Sequence, residues 1–360
     1  MFSASRLRVA RKRRRFNKSR LAEAIGVNLR AITAFEAGEY EPSPANLASI
    51  ARVLEYPPEF FSGDDLHEPT ADTASFRAMT RMSAGIREAA LASGAEAILL
   101  NEWIEQRFEL PESNVLDLAD EDPAAAAMSV RRHWGLGERP IKNMIHLLEA
   151  NGIRVYSLSE DTVDVDAFSL WRDRVPFIFL NTLKSAEHGR FDAAHELGHL
   201  VLHRACGPQG RDTEQQANKF ASAFLMPQVS VLANAPRFAS LNTLIRLKRH
   251  WNVSIAALAH RLHAIGLVTD WHYRSLCIQI AQRGWRTVEP DGAPRETSQI
   301  LAKVFGTLRS EGTSVEEVAS QLNVTPAELK RLVFHLVLLD VQGGGKSTSR
   351  RQPALRLVKE

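Results

Sequence analysis

The stretch that decides the fold runs from residue 190 to residue 227 and reads RFDAAHELGHLVLHRACGPQGRDTEQQANKFASAFLMP. It contains the pattern HExxH, which begins at His195. Residues four apart share one face of a helix and lie about 6 Å apart. The imidazoles of His195 and His199 can therefore bind one zinc ion, each through a nitrogen about 2.0–2.1 Å from it. Glu196 lies one step round the helix, where it can take the proton of an attacking water, the general-base role in a zinc peptidase.

A catalytic zinc site needs a third protein ligand and one open position. His203 lies about 12 Å along the helix axis from His195, so it is expected to pack or to orient a neighbour rather than to join the same site. The metzincin pattern would need glycine at position 202 and histidine at position 205. The chain has Leu202 and Ala205 there, so the metzincin class is excluded. A second amphipathic run begins at Glu214. A glutamate in the first turn of a helix packed against the HExxH helix is the natural third ligand.

The run AAHELGHLVLH followed by ExxANxFAxxxLMP resembles the ImmA/IrrE family of zinc metallopeptidases. This resemblance places the family's metal ligands on His195, His199 and Glu214, and its catalytic glutamate on Glu196. It implies one zinc ion per protomer and endopeptidase activity. The segments DAFSLW and PFIFLN precede the HExxH run in the order typical of that family, and both are predicted to be strands of a small sheet. An edge of such a sheet can hold an extended peptide.

The N-terminal segment has a different character, because residues 1–20 contain nine Arg or Lys and no acidic residue. Asn17 is predicted to cap one short helix and Asn28 the next, with Gly26 in the turn between them. Gly38 can end the second of these helices. Short helices joined by a glycine turn indicate a helix-turn-helix arrangement.

The run LAEAIGVNLRAITAFEAG, followed by PSxxNLxxIAxxL, resembles the XRE, lambda-repressor-like helix-turn-helix domain. The resemblance implies that the helix after the turn lies in the major groove of duplex DNA. By register, Leu29, Arg30 and Thr33 would face bases, and Arg30 could bind guanine through two hydrogen bonds. Lys18, Arg20 and some of the arginines at positions 11–15 would bind phosphates. The family often has glutamine where Lys18 stands, which favours backbone contact over base reading.

The fold class predicted is an all-α helix-turn-helix bundle, then an α+β zincin-like metallopeptidase domain with a small sheet, then a mostly helical C-terminal region. A second helix-turn-helix is one interpretation of residues 314–336, and packing or dimerisation is the other. The predicted boundaries are residues 1–62 for the DNA-binding domain, 63–75 for a polar linker, 76–284 for the peptidase domain, 296–340 for the C-terminal helices and 342–360 for a disordered basic tail.

No apolar run approaches the length that a membrane-spanning helix needs. The only cysteines are Cys206 and Cys277, so no disulfide framework is expected and a reducing cytoplasm is the predicted compartment. The net charge is only +3. Affinity for nucleic acid must therefore come from a local basic surface, which the N-terminal segment supplies.

Two interpretations of function follow. The first is a DNA-binding transcription regulator that is also a zinc metallopeptidase and cuts a partner protein, for which the family resemblance implies a repressor-type protein. The second is a regulator or antitoxin whose peptidase-like domain senses a metal or ligand, or binds a partner such as a toxin, without cutting it. Both predict a duplex DNA operator and a protein partner, such as a repressor or toxin from a neighbouring gene, and both leave homodimerisation open.

Overall fold

A computed structural model describes residues 1–70, 74–76, 83–158, 165–204 and 210–337 of the chain. Its helices and strands follow in chain order: α1 Ala4–Arg13, α2 Lys18–Ile25, α3 Leu29–Ala37, α4 Pro44–Leu54, a 3₁₀ helix Pro58–Ser62, β1 Ala74–Phe76, α5 Ala84–Glu105, α6 Pro123–His133, α7 Met144–Ala150, β2 Arg154–Ser157, β3 Ala167–Arg172, β4 Val175–Leu180, α8 Ala186–Leu202, α9 Arg211–Leu225, α10 Gln228–Asn234, α11 Leu241–Trp251, α12 Ile255–Ala264, α13 Asp270–Gln282, α14 Gln299–Ser310, α15 Val315–Gln321 and α16 Pro326–Leu332.

The N-terminal helices form a bundle whose ends are fixed by local sequence. The Asn17 side chain accepts a hydrogen bond from the backbone N–H of Arg20 at the start of α2. Asn28 does the same for Ala31 at the start of α3, so each cap satisfies one otherwise unpaired donor. Gly26 ends α2 with a φ of 73°, a conformation that most side chains disfavour. These contacts build the predicted helix-turn-helix.

The middle of the chain contains a four-stranded mixed sheet in the order β1-β3-β4-β2. Strands β3 and β4 pair antiparallel, and β2 joins β4 in parallel. The sheet packs against α5, where Gly94 allows close contact, because a Cβ there would lie 3.2 Å from the ring of Phe168 and 3.6 Å from that of Phe179. Phe168 and Phe179 stack on each other with centroids 4.3 Å apart. This layered arrangement confirms the predicted fold class of helical bundle, small sheet and further helices.

Helix α8 follows β4 directly and packs against α9. Gly198 lies where the two helices meet, since a Cβ at this position would lie 3.1 Å from Cδ1 of Phe220 and 3.3 Å from Cα of Ala217. Such distances are tighter than ordinary packing. The absence of a side chain at Gly198 therefore sets how closely α9 approaches the HExxH helix.

The helix-turn-helix bundle is joined to the rest of the protein by buried ion pairs. Arg13, at the end of α1, is fully buried; its Nη2 lies 3.0 Å from Glu328 on α16, and its Nε lies 3.4 Å from Glu96 on α5. Tyr56 donates a hydrogen bond to Glu96. The pKa of Glu96 is raised to about 7, mainly by burial and secondly by the negative charge of Glu328. Removing one partner of this cluster would leave a buried charge unpaired. The cluster therefore fixes how α1 docks onto α5 and α16.

Three details differ from the sequence-based expectations. Residues 74–76, assigned to the end of the linker and the start of a helical region, form strand β1 on the outer edge of β3, because backbone pairing with a distant strand outweighs local polarity. The arginines expected to bind phosphates are largely used inside the protein: Arg11 pairs with Glu36, and Arg13 and Arg14 pair with Glu328. Cys206, the basic tail and most of residues 71–82 lie outside the described residues.

Residues 315–332 do form two short helices around a turn, with Asn323 at a φ of 56°. The second of these, α16, packs against α5 and β2, and its Glu328 is buried among arginines. This region therefore packs within the protein, which is one of the two roles considered for it. Within the described ranges, no helix is both long and apolar enough to cross a membrane.

Candidate metal centre and helix-turn-helix surface

The structure brings together His195 and His199 of α8 and Glu214 of α9. The two Nε2 atoms lie 3.1 Å apart. Nε2 of His195 lies 3.4 Å from Oε2 of Glu214, and Nε2 of His199 lies 3.3 Å from Oε1 of the same carboxylate. Both histidines are buried, whereas a quarter of the Glu214 side chain is exposed.

These separations can be compared with the edges of a coordination tetrahedron. For metal–ligand bonds of about 2.0–2.1 Å, the edge of a regular tetrahedron is about 3.3–3.4 Å. The three donor separations of 3.1, 3.3 and 3.4 Å are close to this length. Two imidazoles and one carboxylate also form the donor set of many catalytic zinc sites. The residues present therefore fit a divalent metal and supply three of its four positions.

A hydrogen-bond network holds both imidazoles from behind. Nδ1 of His195 lies 3.1 Å from Oδ1 of Asn218. Nδ1 of His199 lies 3.0 Å from Nδ1 of His203, whose Nε2 lies 2.8 Å from Oε1 of Gln216. Burial lowers the pKa of His203, so this ring is neutral and one of its nitrogens accepts. If His203 donates from Nε2 to Gln216 and accepts from His199, then Nε2 of His199 is left free of hydrogen to face a metal.

The carboxylate of Glu214 is held in its charged form. Burial alone would raise its pKa, but when His195 and His199 are protonated and carry a hydrogen on Nε2, their hydrogen bonds and charges outweigh burial and lower the pKa of Glu214 to about 2. Glu214 is therefore ionised near neutral pH. An ionised carboxylate is the form that binds a metal cation.

Glu196 is fully buried beneath the sheet, one residue from His195. Ser169 in β3 donates a hydrogen bond to Oε2 of Glu196, with an oxygen–oxygen distance of 2.7 Å. This contact fixes one carboxylate oxygen of Glu196. The second strand of the hairpin, β4, leads directly into α8, so the sheet and the HExxH helix position Glu196 together.

A cleft of about 580 Å³ lies beside these residues, between α8, α9 and α12. Asn218, the partner of His195, lines it together with Phe191, Ala257 and His260. This volume is within the range of about 300–1,000 Å³ that small-molecule and cofactor sites occupy. The cleft is mostly apolar, so it suits an apolar side chain of a bound segment.

The predicted DNA-facing residues lie on one exposed side of the helix-turn-helix. Arg30 and Thr33 are exposed on α3, and Leu29 is 47% exposed. Arg20 is also exposed, with its guanidinium 4.3 Å from the centre of the Phe16 ring. Lys18 is only partly exposed, and its Nζ forms an ion pair with Oε2 of Glu36 at 3.4 Å. The recognition face of α3 is thus open to solvent.

Sequence reasoning missed Ser169, Asn218 and Gln216. Asn218 belongs to the ExxAN run, and its place four residues after Glu214 puts both on one face of α9. That spacing could have suggested a partner for His195. Ser169 and Gln216 had no comparable pattern, because their roles depend on contacts between distant segments.

Comparison with known families agrees with this geometry. Residues 7–61 match a helix-turn-helix family, and residues 148–263 match the IrrE N-terminal-like domain of the peptidase M78 family. No curated protein matches the chain. The fold and the two matches support a regulator with a peptidase-like domain. The chain carries an XRE-type helix-turn-helix domain and an IrrE N-terminal-like peptidase M78 domain.

Glu214→Ala should lower the metal content of the purified protein from about one zinc per chain to well below it, because only two protein ligands would remain. Elemental analysis after dialysis against zinc measures this. Asp212→Ala is the matched control, since Asp212 is exposed in the same turn of α9, and it should keep full zinc. Equal zinc content in Glu214→Ala and wild type would remove Glu214 from the site.

Gly198→Ala should weaken zinc binding about tenfold or more, because the added methyl pushes α9, and with it Glu214, away from α8. The unfolding free energy should fall by no more than about 2 kcal/mol, since alanine gains about 1 kcal/mol of helix propensity against an overpacking cost of about 1–3 kcal/mol. Gly189→Ala on the same helix meets no atom within 4 Å and serves as control. Unchanged zinc affinity in Gly198→Ala would show that close packing does not set the site.

Arg30→Ala should reduce the preference of the full chain for its selected DNA sequence by about 1–3 kcal/mol, the discrimination supplied by one bidentate contact with guanine. Affinities for a sequence selected from a random pool and for random duplex measure this. Lys18→Ala should weaken both duplexes alike and reduce the salt dependence. Arg52→Ala, exposed on α4, is the control. Equal weakening of both duplexes by Arg30→Ala would contradict the proposed register.

Proposed function

We propose that this protein is a DNA-bound transcription regulator and a zinc metalloendopeptidase that cuts a repressor-type partner protein. The observation that carries the proposal is the arrangement of two imidazoles and one carboxylate at tetrahedral spacing, with Glu196 adjoining them on α8. A zinc site with a purely structural role would not need Glu196 beside its three ligands. The exposed face of α3 supports action at a DNA operator.

A zinc ion held by His195, His199 and Glu214 would supply a Lewis acid that polarises the scissile carbonyl and makes water a stronger nucleophile near neutral pH. Glu196 takes the proton of the attacking water and can pass it to the leaving amine. Ser169 donates a hydrogen bond to Oε2 of Glu196 and so fixes the orientation of the carboxylate that accepts this proton. Asn218 and His203 keep the two imidazoles in the tautomer that presents Nε2.

The cleft beside the site indicates what kind of side chain the substrate presents there. A polypeptide segment in extended form can present an apolar side chain to the surface lined by Phe191 and Ala257. Cutting a repressor-type protein would release the genes that it controls. We place the peptidase domain at residues 76–284, which extends the family match to include α5 and its contact with the sheet.

The second candidate is a regulator whose peptidase-like domain senses a metal or binds a partner without cutting it. The burial of both histidines favours this alternative, because His195 is 0% and His199 is 2% exposed, and a closed site limits the access of substrate. The presence of Glu196 with its own hydrogen-bond donor favours catalysis, and for that reason proteolysis is the preferred function.

Glu196→Gln should keep zinc and DNA binding but abolish cleavage, because the amide is close in size to the carboxylate and cannot accept the proton of the attacking water. Loss of general-base catalysis costs roughly 10²–10⁴-fold in rate. The measurement compares new protein N-termini, by mass spectrometry, in cells of the native host that produce wild type or Glu196→Gln. Ser169→Ala should give an intermediate yield of the same termini, because Glu196 would lose its fixed orientation.

If wild type and Glu196→Gln give the same set of N-termini and the same promoter output, the peptidase function fails and the sensing function replaces it. Zinc content and DNA affinity of the purified variants are the controls that exclude a loss of fold. A variant that binds operator and partner but never releases the genes would identify proteolysis as the switch.

A further inference from the structure

A second cavity, of about 270 Å³, lies where the helix-turn-helix bundle meets the C-terminal helices. Its lining comprises Arg13, Arg14, Arg15, Glu55 and Arg331. The first three follow one another at the end of α1, Glu55 ends α4, and Arg331 comes from α16. We call this cavity the arginine pocket. It is far along the chain from every predicted metal ligand and is not used by the proposed reaction.

The positive charge around the arginine pocket exceeds the negative charge. Glu328 is shared by three guanidinium groups: Nη1 of Arg14 lies 2.6 Å from it, Nη2 of Arg13 lies 3.0 Å from it, and Arg331 also pairs with it. Glu96 and Glu55 are the further carboxylates in reach. Four arginines thus face three carboxylates, which leaves an excess of one positive charge, or of two when Glu96 carries a proton.

One arginine of the pocket has no acidic partner among the described residues. Arg15 is exposed, adopts a φ of 55° just beyond the end of α1, and forms no ion pair with any residue in the described ranges. The dipole of α1 favours cations at this end of the helix. That effect does not explain why Arg331, from an element more than 300 residues away in sequence, lines the same cavity. Convergence of guanidinium groups from separate elements is the arrangement that binds phosphate.

The shape of the pocket favours a small anion over a DNA backbone. Arg13 is buried, with 0% of its side chain exposed, and its guanidinium is held by Glu96 and Glu328. Arg15 and Arg331 are therefore the guanidinium groups of the pocket that a ligand can reach. Helix α1 contacts the recognition helix α3 through Arg8 and Arg11, which bond to Glu36. These two arginines do not line the arginine pocket. A volume of about 270 Å³ is slightly below the usual range for ligand sites, about 300–1,000 Å³, and suits a small molecule.

We propose that the arginine pocket binds a small phosphate monoester, held between Arg15 of the helix-turn-helix bundle and Arg331 of α16. Arg15 is exposed and 37% of the Arg331 side chain is exposed, so both guanidinium groups are accessible at the cavity. Arg331 keeps one nitrogen on Glu328, which Arg13 and Arg14 also hold. A bound dianion would bridge α1 and α16. It would therefore stabilise the docking of the DNA-binding domain onto the C-terminal helices.

The test uses the full chain with AMP as probe and adenosine as its uncharged counterpart, followed by calorimetric titration and thermal unfolding. AMP should bind and raise the unfolding midpoint, and adenosine should do neither. The double variant Arg15→Gln, Arg331→Gln should weaken AMP binding by about tenfold or more, because two charge-assisted contacts are lost. Arg274→Gln, exposed on α13, is the matched control and should bind AMP as wild type does.

If the double variant is unstable, Arg15→Gln alone carries the test, since Arg15 is exposed and outside the buried cluster. Equal binding of AMP and adenosine, no AMP binding to wild type at millimolar concentration, or an unchanged affinity in the variants would overturn the proposal. Titration in the presence of saturating random duplex separates the two sources of phosphate. Retained AMP affinity supports a small-molecule site, whereas competition would assign the pocket to DNA phosphates and overturn it.

Discussion

The close approach of α8 and α9 at Gly198 is the contact on which the candidate metal centre depends. Two histidines four residues apart define only one side of a metal site. Glu214 reaches them because α9 lies so near α8 that Phe220 and Ala217 fill the space where a side chain at Gly198 would be. The same face of α9 brings Asn218 to His195. One packing contact therefore supplies both the third donor and the orientation of the first.

Much of this arrangement could be predicted from local sequence. The HExxH spacing, the glutamate that opens α9 and the asparagine caps of α2 and α3 each act within one or two helical turns, where sequence periodicity is informative. The strands at residues 167–172 and 175–180 were also predictable, because they are short apolar runs around a polar turn.

The remaining features depend on contacts between distant segments. Strand β1 exists because residues 74–76 pair with β3 almost a hundred residues later. Ser169 becomes a partner of Glu196 only when the sheet lies on α8. The basic run near the N-terminus suggested DNA phosphates, but Arg13 finds its carboxylates on α5 and α16. The local sequence shows that positive charge is present near the N-terminus. It does not show which distant carboxylates will pair with that charge. The same helix α5 supports β3 through Gly94 and Phe168, so the DNA-binding bundle and the strand that positions Glu196 share one framework.

The central claim is that His195, His199 and Glu214 hold one zinc ion with a position left for substrate. A crystal structure of the zinc-loaded chain, with diffraction measured on both sides of the zinc absorption edge, tests this most directly. The account predicts one anomalous peak per chain, about 2.0–2.2 Å from both Nε2 atoms and from the Glu214 carboxylate, with no fourth protein ligand. A peak elsewhere, or a fourth ligand from the protein that closes the site, would contradict it.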